Sequence, residues 1–148
     1  MPKDSDVVEC IGCIDEANAF IGLAKNFASD DETKQILERV QGIMFHVGAE
    51  VSSGKEYVQN EDYIWLIETI EKLRNELEIP KSFLVLEKSR ESAFLSVARC
   101  IVRRAERRAV KLYRGGLLRL AVVEWLNKLS YLLYLLTLKE LHKLARSN

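Results

Sequence analysis

Apolar positions recur at three- and four-residue steps along almost the whole chain, the period of helices that bury one face. Between Asp15 and Phe27 the stripe consists of Ala17, Phe20, Ile21, Leu23 and Ala24. Ser29-Asp30-Asp31-Glu32 has the form of a capping box, and Ile36, Leu37, Val40, Ile43, Met44 and Val47 follow at helical spacing. Ser52-Ser53-Gly54 interrupts that pattern. A third helix is predicted from Asn60 or Glu61, with Ile64, Ile67, Ile70 and Leu73 inward and Pro80 as its stop. Phe83 to Leu86 reads as a short, extended, buried connection. Ser89 caps a fourth helix, Gly115-Gly116 ends it, and a fifth runs almost to the C-terminus. No alternating run is long enough for a sheet. The expected architecture is one all-α domain over residues 1–148, a five-helix bundle. Gly42 and Gly48 fall inside the second helix, where each costs about 1 kcal/mol relative to alanine; close approach of a neighbouring helix is the expected reason.

The fifth helical segment, from about Leu117 to Leu144, is the most apolar. Its longest charge-free run, Leu129 to Leu138, is far short of the ~20 residues that cross a bilayer, so it reads as a central buried helix with no membrane role. Lysine plus arginine and aspartate plus glutamate both number 22, and this zero net charge argues against a nucleic-acid binder driven by counterion release. Three cysteines, an odd count without a secretory signal, imply a reducing, cytoplasmic setting rather than a disulfide scaffold. Cys10-Ile11-Gly12-Cys13 is a lone C-x-x-C. It lacks the second ligand pair of a zinc site and the preceding strand of a redox site, which leaves small buried thiols.

Candidate chemistry concentrates on the fourth helix. Arg99, Arg103 and Arg107 recur at i, i+4 and i+8, with Glu106 among them. A guanidinium row with one carboxylate suits either a polyphosphate or a network of ion pairs between subunits, because guanidinium engages both phosphate and carboxylate with two parallel hydrogen bonds.

Four blocks then resemble one known family, the ATP:cob(I)alamin adenosyltransferases of the propanediol-utilisation type. Val8 through Gly22 resembles the family's VEA-x-G-x-VDELNSFIG segment, and Val40 through Glu50 its IQ-x-x-LF-x-LGAE helix. Phe83 through Arg108 is similar to FILPGGS…LHxARxxCRRAERR, and Leu126-Asn127-Lys128-Leu129-Ser130 to LNRLSD. The resemblance implies a trimer of five-helix bundles with sites at the subunit interfaces. It also implies transfer of the adenosyl group of ATP to cob(I)alamin, with release of triphosphate and magnesium as cofactor. An adenosylcobalamin-dependent enzyme is the partner such a product implies.

By resemblance, Arg103, Glu106 and Asn127 contact ATP, and Asp15 with Arg99 bridges neighbouring subunits beside the nucleotide. Arg99 and Arg103 are thereby the catalytic cations, with no metal-ligating set of side chains. Phe83 is implied to pack under the corrin, keep the lower axial position of cobalt empty and so ease reduction of cob(II)alamin. The family pattern also opens with a glycine-rich TGDxGxT stretch around the ATP phosphates. This sequence aligns from just downstream of that stretch, with Lys3 and Asp4 at its end and Lys3 as the expected phosphate contact.

Three internal positions depart from the pattern. Leu86-Glu87-Lys88 replaces PGG, Ser96 replaces the histidine of the LH pair, and Tyr131 replaces the acid after LNRLS. The expected function is adenosyl transfer. The alternative is a non-catalytic member of the same fold that binds cobalamin or a protein.

Overall fold

The computed structural model describes the backbone of residues 2–147 and the side chains of residues 5–146. Its elements are α1 (Pro2–Phe27), α2 (Asp31–Ser53), α3 (Asn60–Glu76), α4 (Arg90–Arg114) and α5 (Leu120–Ser147). Among the described residues there is no strand. Helix α1 packs against α2 on one side and α4 on the other, while α5 sits between α4 and α3.

The core follows from the stripes. Helix α2 buries Leu37, Val40, Ile43, Met44 and Val47, all predicted inward. On α4 the buried row is Leu95, Ala98, Val102, Ala105, Ala109 and Leu112, which leaves its arginines on the outer faces. Helix α5 buries Trp125, Leu126, Leu129, Leu132, Leu133 and Leu136 and is enclosed on most sides. The indole Nε1 of Trp125 donates to the carbonyl of Asp62 at 3.3 Å, satisfying the one polar group of that side chain. No helix among the described residues is long and apolar enough to cross a membrane.

The boundaries correct several expectations. Helix α1 extends far upstream of Asp15 and buries Cys10 and Ile14 ahead of the predicted stripe, because its polar residues Asp6 and Glu9 are accommodated by α4. The cap of α2 is Asp30 rather than Ser29, and its carboxylate accepts from the Thr33 N–H at 2.6 Å. Ser29 is unavailable as a cap because its Oγ donates to buried Glu140, at 2.9 and 3.0 Å from the two carboxylate oxygens. On α3 the inward row is Leu66, Ile70 and Leu73, with Ile64 exposed, and the helix stops at Glu76, ahead of Pro80. Gly42 and Gly48 do not mediate close approach. A Cβ on Gly42 would meet nothing within 4 Å, and one on Gly48 only Ile14 at 3.9 Å. The tight contact is at Gly22, where a Cβ would lie 2.7 Å from the Gln41 amide nitrogen.

Two polar clusters hold the helix ends. Glu50, buried near the end of α2, accepts from the Tyr57 and Val58 N–H groups at 3.0 and 3.1 Å. Arg119, just ahead of α5, donates to both oxygens of Glu50 at 2.6 and 2.8 Å and to the Val58 carbonyl at 2.8 Å. At the opposite end Lys143 and Lys139 reach Asp30 at 2.5 and 3.3 Å. Burial works to raise the Asp30 pKa. Hydrogen bonds from Lys143 and Thr33 and the charge of Lys139 outweigh it and hold the carboxyl well below the usual range.

A depressed carboxylate pKa stabilises the fold above its unfolded value, about 4, and that stabilisation is lost as pH falls toward the folded value. Between about pH 4 and pH 2, urea unfolding of the wild type is expected to lose stability more steeply than that of Asp30→Asn. Parallel pH profiles for the two proteins would remove Asp30 from this role.

Candidate functional site

Helices α1 and α4 run antiparallel, and three ion pairs step along their contact. Arg104 pairs with Glu16, Arg108 with Glu9 at 2.6 Å, and Lys111 with Asp6 at 3.1 Å. This divides the basic residues of α4 into two sets. Arg104, Arg108 and Lys111 are neutralised within the chain. Arg99, Arg103 and Arg107 face the other way and form no ion pair among the described residues.

This second set lines one wall of an open cleft of about 730 Å³ between α4 and α5. Glu106 and Val110 complete the α4 wall, and Asn127, Lys128, Ser130, Tyr131 and Tyr134 come from α5. The Asn127 side-chain amide donates to Glu106 at 3.0 Å, joining the walls midway. At one end the Arg99 guanidinium lies 5.5 Å from the centre of the Tyr134 ring. Among the described residues Glu106 is the one carboxylate lining the cleft, against Arg99, Arg103, Arg107 and Lys128. Such a surface attracts an anion, and the forked guanidiniums can engage phosphate oxygens in pairs.

Arg99, Arg103, Glu106 and Asn127, predicted separately along the sequence, are thus brought together. Phe83 and Asp15 are not part of the cleft. Asp15 is exposed on α1 and forms no ion pair with Arg99 within the chain. Lys3 lies outside the described side chains. Arg107, already part of the predicted cation row, joins Arg99 and Arg103 in the cleft, as does Lys128, while Ser130 and Tyr134 lay outside the predicted site. The available signal was their spacing, since 127, 130, 131 and 134 fall on one face of α5.

Phe83 sits on the loop between α3 and α4, and the expectation of a buried connection fails there. Phe83 is fully exposed, and Leu84 and Val85 are exposed beside it. The loop joins α4 through hydroxyls spaced along that helix. Ser92 Oγ accepts from the N–H groups of Lys88 and Ser89 at 3.2 and 3.0 Å, and the Ser96 hydroxyl donates to the Glu87 carboxylate at 2.5 Å. Two departures from the family pattern, Glu87 and Ser96, therefore meet in space. Losing one such bond costs about 1 kcal/mol, so Ser96→Ala is expected to speed amide exchange at residues 83–88 by about fivefold. Unchanged exchange there would mean the contact does not order the loop.

The C-x-x-C pair lies on α1, and all three cysteines are free. Burial, with a smaller contribution from Cys13, pushes the Cys10 thiol up to about 12 and makes it a poor nucleophile. No group of three or more His, Cys, Asp or Glu residues among the described residues is arranged to hold a metal ion.

Residues 1–140 match the family described as cobalamin adenosyltransferase. The chain belongs to that family. A corrinoid adenosyltransferase from Bacillus subtilis is 36% identical over 137 residues, which cover 86% of this chain and 70% of that protein. The corrinoid adenosyltransferase PduO of Citrobacter freundii is 31% identical over 148 residues, covering 95% of this chain. The chain spans less than half of that relative, 44% of its length. A variant PduO-type ATP:corrinoid adenosyltransferase from Lactobacillus reuteri, complexed with cobalamin and ATP, superimposes with a TM-score of 0.81 at 25% identity. That likeness covers 92% of this chain and 78% of the other. Of the arginine block that carries the resemblance, Arg103 and Arg107 stand with Arg99 in the cation wall of the cleft.

Proposed function

We propose that this chain transfers the adenosyl group of ATP to cob(I)alamin, giving adenosylcobalamin and triphosphate. The observation that carries this reading is the set of guanidiniums, Arg99, Arg103 and Arg107, left without carboxylate partners among the described residues beside the Asn127–Glu106 pair. The reduced cobalt is itself the nucleophile and attacks the ribose 5′ carbon, so the protein has little acid–base work to do. Its contribution is to hold the two substrates in line and to stabilise the charge that gathers on the leaving triphosphate.

Arg103 and Arg107 bind the phosphates, Glu106 serves the magnesium-associated end of ATP, and Asn127 contacts the nucleotide. Magnesium arrives with ATP. The lone cleft carboxylate fits that arrangement, because magnesium is commonly held by one or two carboxylates together with substrate phosphates and water. Exposed Phe83 meets the corrin as the apolar tip of its loop. Exposed Asp15, and Arg99 without a carboxylate partner among the described residues, are available to one another across a subunit interface, which supports a homotrimer with shared sites.

The test is anaerobic reaction of the chain with MgATP and chemically reduced cob(I)alamin. Inorganic triphosphate should appear in proportion to the corrinoid consumed. Corrinoid or ATP binding without triphosphate release would favour a non-catalytic binding module.

A further inference from the structure

The α5 side of the cleft carries a feature that a triphosphate alone does not need. Tyr131 and Tyr134, three residues apart on one helix face, stack with ring centres 6.2 Å apart and planes at 28°. Arg99 lies over Tyr134 at 5.5 Å, so Arg99, Tyr134 and Tyr131 are successive planar neighbours at the edge of the cation row. Both tyrosines line the cleft and both are half-buried. Tyr131 also stands where the family pattern places an acid. A carboxylate there would add a second negative charge to the cleft, whereas the phenol leaves Glu106 alone and supplies an aromatic face.

We propose that Tyr131 is a stacking platform for the purine base of a nucleotide whose phosphates lie on the arginine row. This inference rests on the nucleotide reading of the cleft and extends it to a specific side chain. A planar heteroaromatic base set against the Tyr131 ring extends this series of planar groups, with offset ring faces in contact as aromatic pairs prefer. Arg103 lies one helical turn from Arg99 along α4, within the length of cleft that a nucleotide spans. The ligand class is therefore a purine nucleoside polyphosphate, in which the planar and the anionic parts are recognised by different walls.

The experiment is calorimetric titration of the wild type, Tyr131→Phe and Tyr131→Leu with MgATP and, in parallel, with inorganic tripolyphosphate. Stacking of a base on an aromatic side chain predicts a loss of about tenfold or more in ATP affinity for Tyr131→Leu. Tyr131→Phe should stay near the wild type, because the ring and not the hydroxyl carries the contact. Tripolyphosphate affinity should be the same in all three proteins. Wild-type ATP affinity in Tyr131→Leu would overturn the inference. So would an equal loss for ATP and tripolyphosphate, which would place the effect on the cation row. If the wild type binds neither ligand, the nucleotide reading of the cleft itself falls, and the stacking platform with it.

Discussion

Arg103→Ala is expected to lower adenosyl transfer by about 10²- to 10³-fold, the range seen when one preorganised donor to developing negative charge is removed. Arg103 is the middle member of the unpaired row, exposed at its side chain and part of no hydrogen bond or ion pair among the described residues. Its removal therefore costs the fold almost nothing, and the thermal midpoint should stay within about 2 °C of the wild type. Arg103→Lys should fall between the two, since an ammonium keeps the charge and loses the fork that engages two phosphate oxygens. Initial rates with saturating cob(I)alamin, alongside thermal melts, check both halves of this expectation. Rates within about threefold of the wild type would separate Arg103 from the leaving triphosphate.

Arg119→Ala should give the largest stability effect, about 3 kcal/mol, because it leaves a buried carboxylate without its cation. The side chain of Glu50 is only 3% exposed. Burial favours its neutral form, yet the Arg119 hydrogen bonds and the Tyr57 and Val58 N–H groups hold its pKa below the usual range. Without Arg119 only the two backbone donors remain. The thermal midpoint should drop by about 10 °C. Adding Glu50→Gln to Arg119→Ala should recover part of the loss, since an amide is cheaper to bury than a carboxylate. An unchanged urea midpoint in Arg119→Ala would show that water solvates Glu50 as well as arginine does. The contact also fixes the start of α5, so the same variant tests whether Asn127, further along that helix, depends on it for its place beside Glu106.

The parts of the fold that could be read from the sequence were those whose stripes bury without interruption. Helix α2 is the clearest, since its five central apolar positions are all inward. The true extent of α1 was hidden because its upstream half carries Asp6, Glu9 and Gly12, and only the partners on α4 show why a helix tolerates the two acids there. Ser29 looked like a cap because capping chemistry is local. Its actual partner, Glu140, is 111 residues away.

At the site the arginine spacing announced a cation face. It could not tell which arginines α1 would neutralise, and that division between Arg104 with Arg108 and Arg99 with Arg103 and Arg107 decides what the cleft can bind. Phe83 to Leu86 reads as a buried connection because an apolar run of four usually marks burial, while the resemblance sets Phe83 against the corrin. In the structure the polar end of the loop nearest α4 is tied down and the apolar tip is left outside.

The central claim is that this cleft catalyses adenosyl transfer, and the most direct measurement follows the corrin absorption after MgATP is added to the chain and cob(I)alamin without oxygen. The account predicts conversion of the corrinoid to adenosylcobalamin by the wild type and almost none by Arg103→Ala under identical conditions. A wild-type chain that binds both substrates and leaves the cob(I)alamin spectrum unchanged would contradict it.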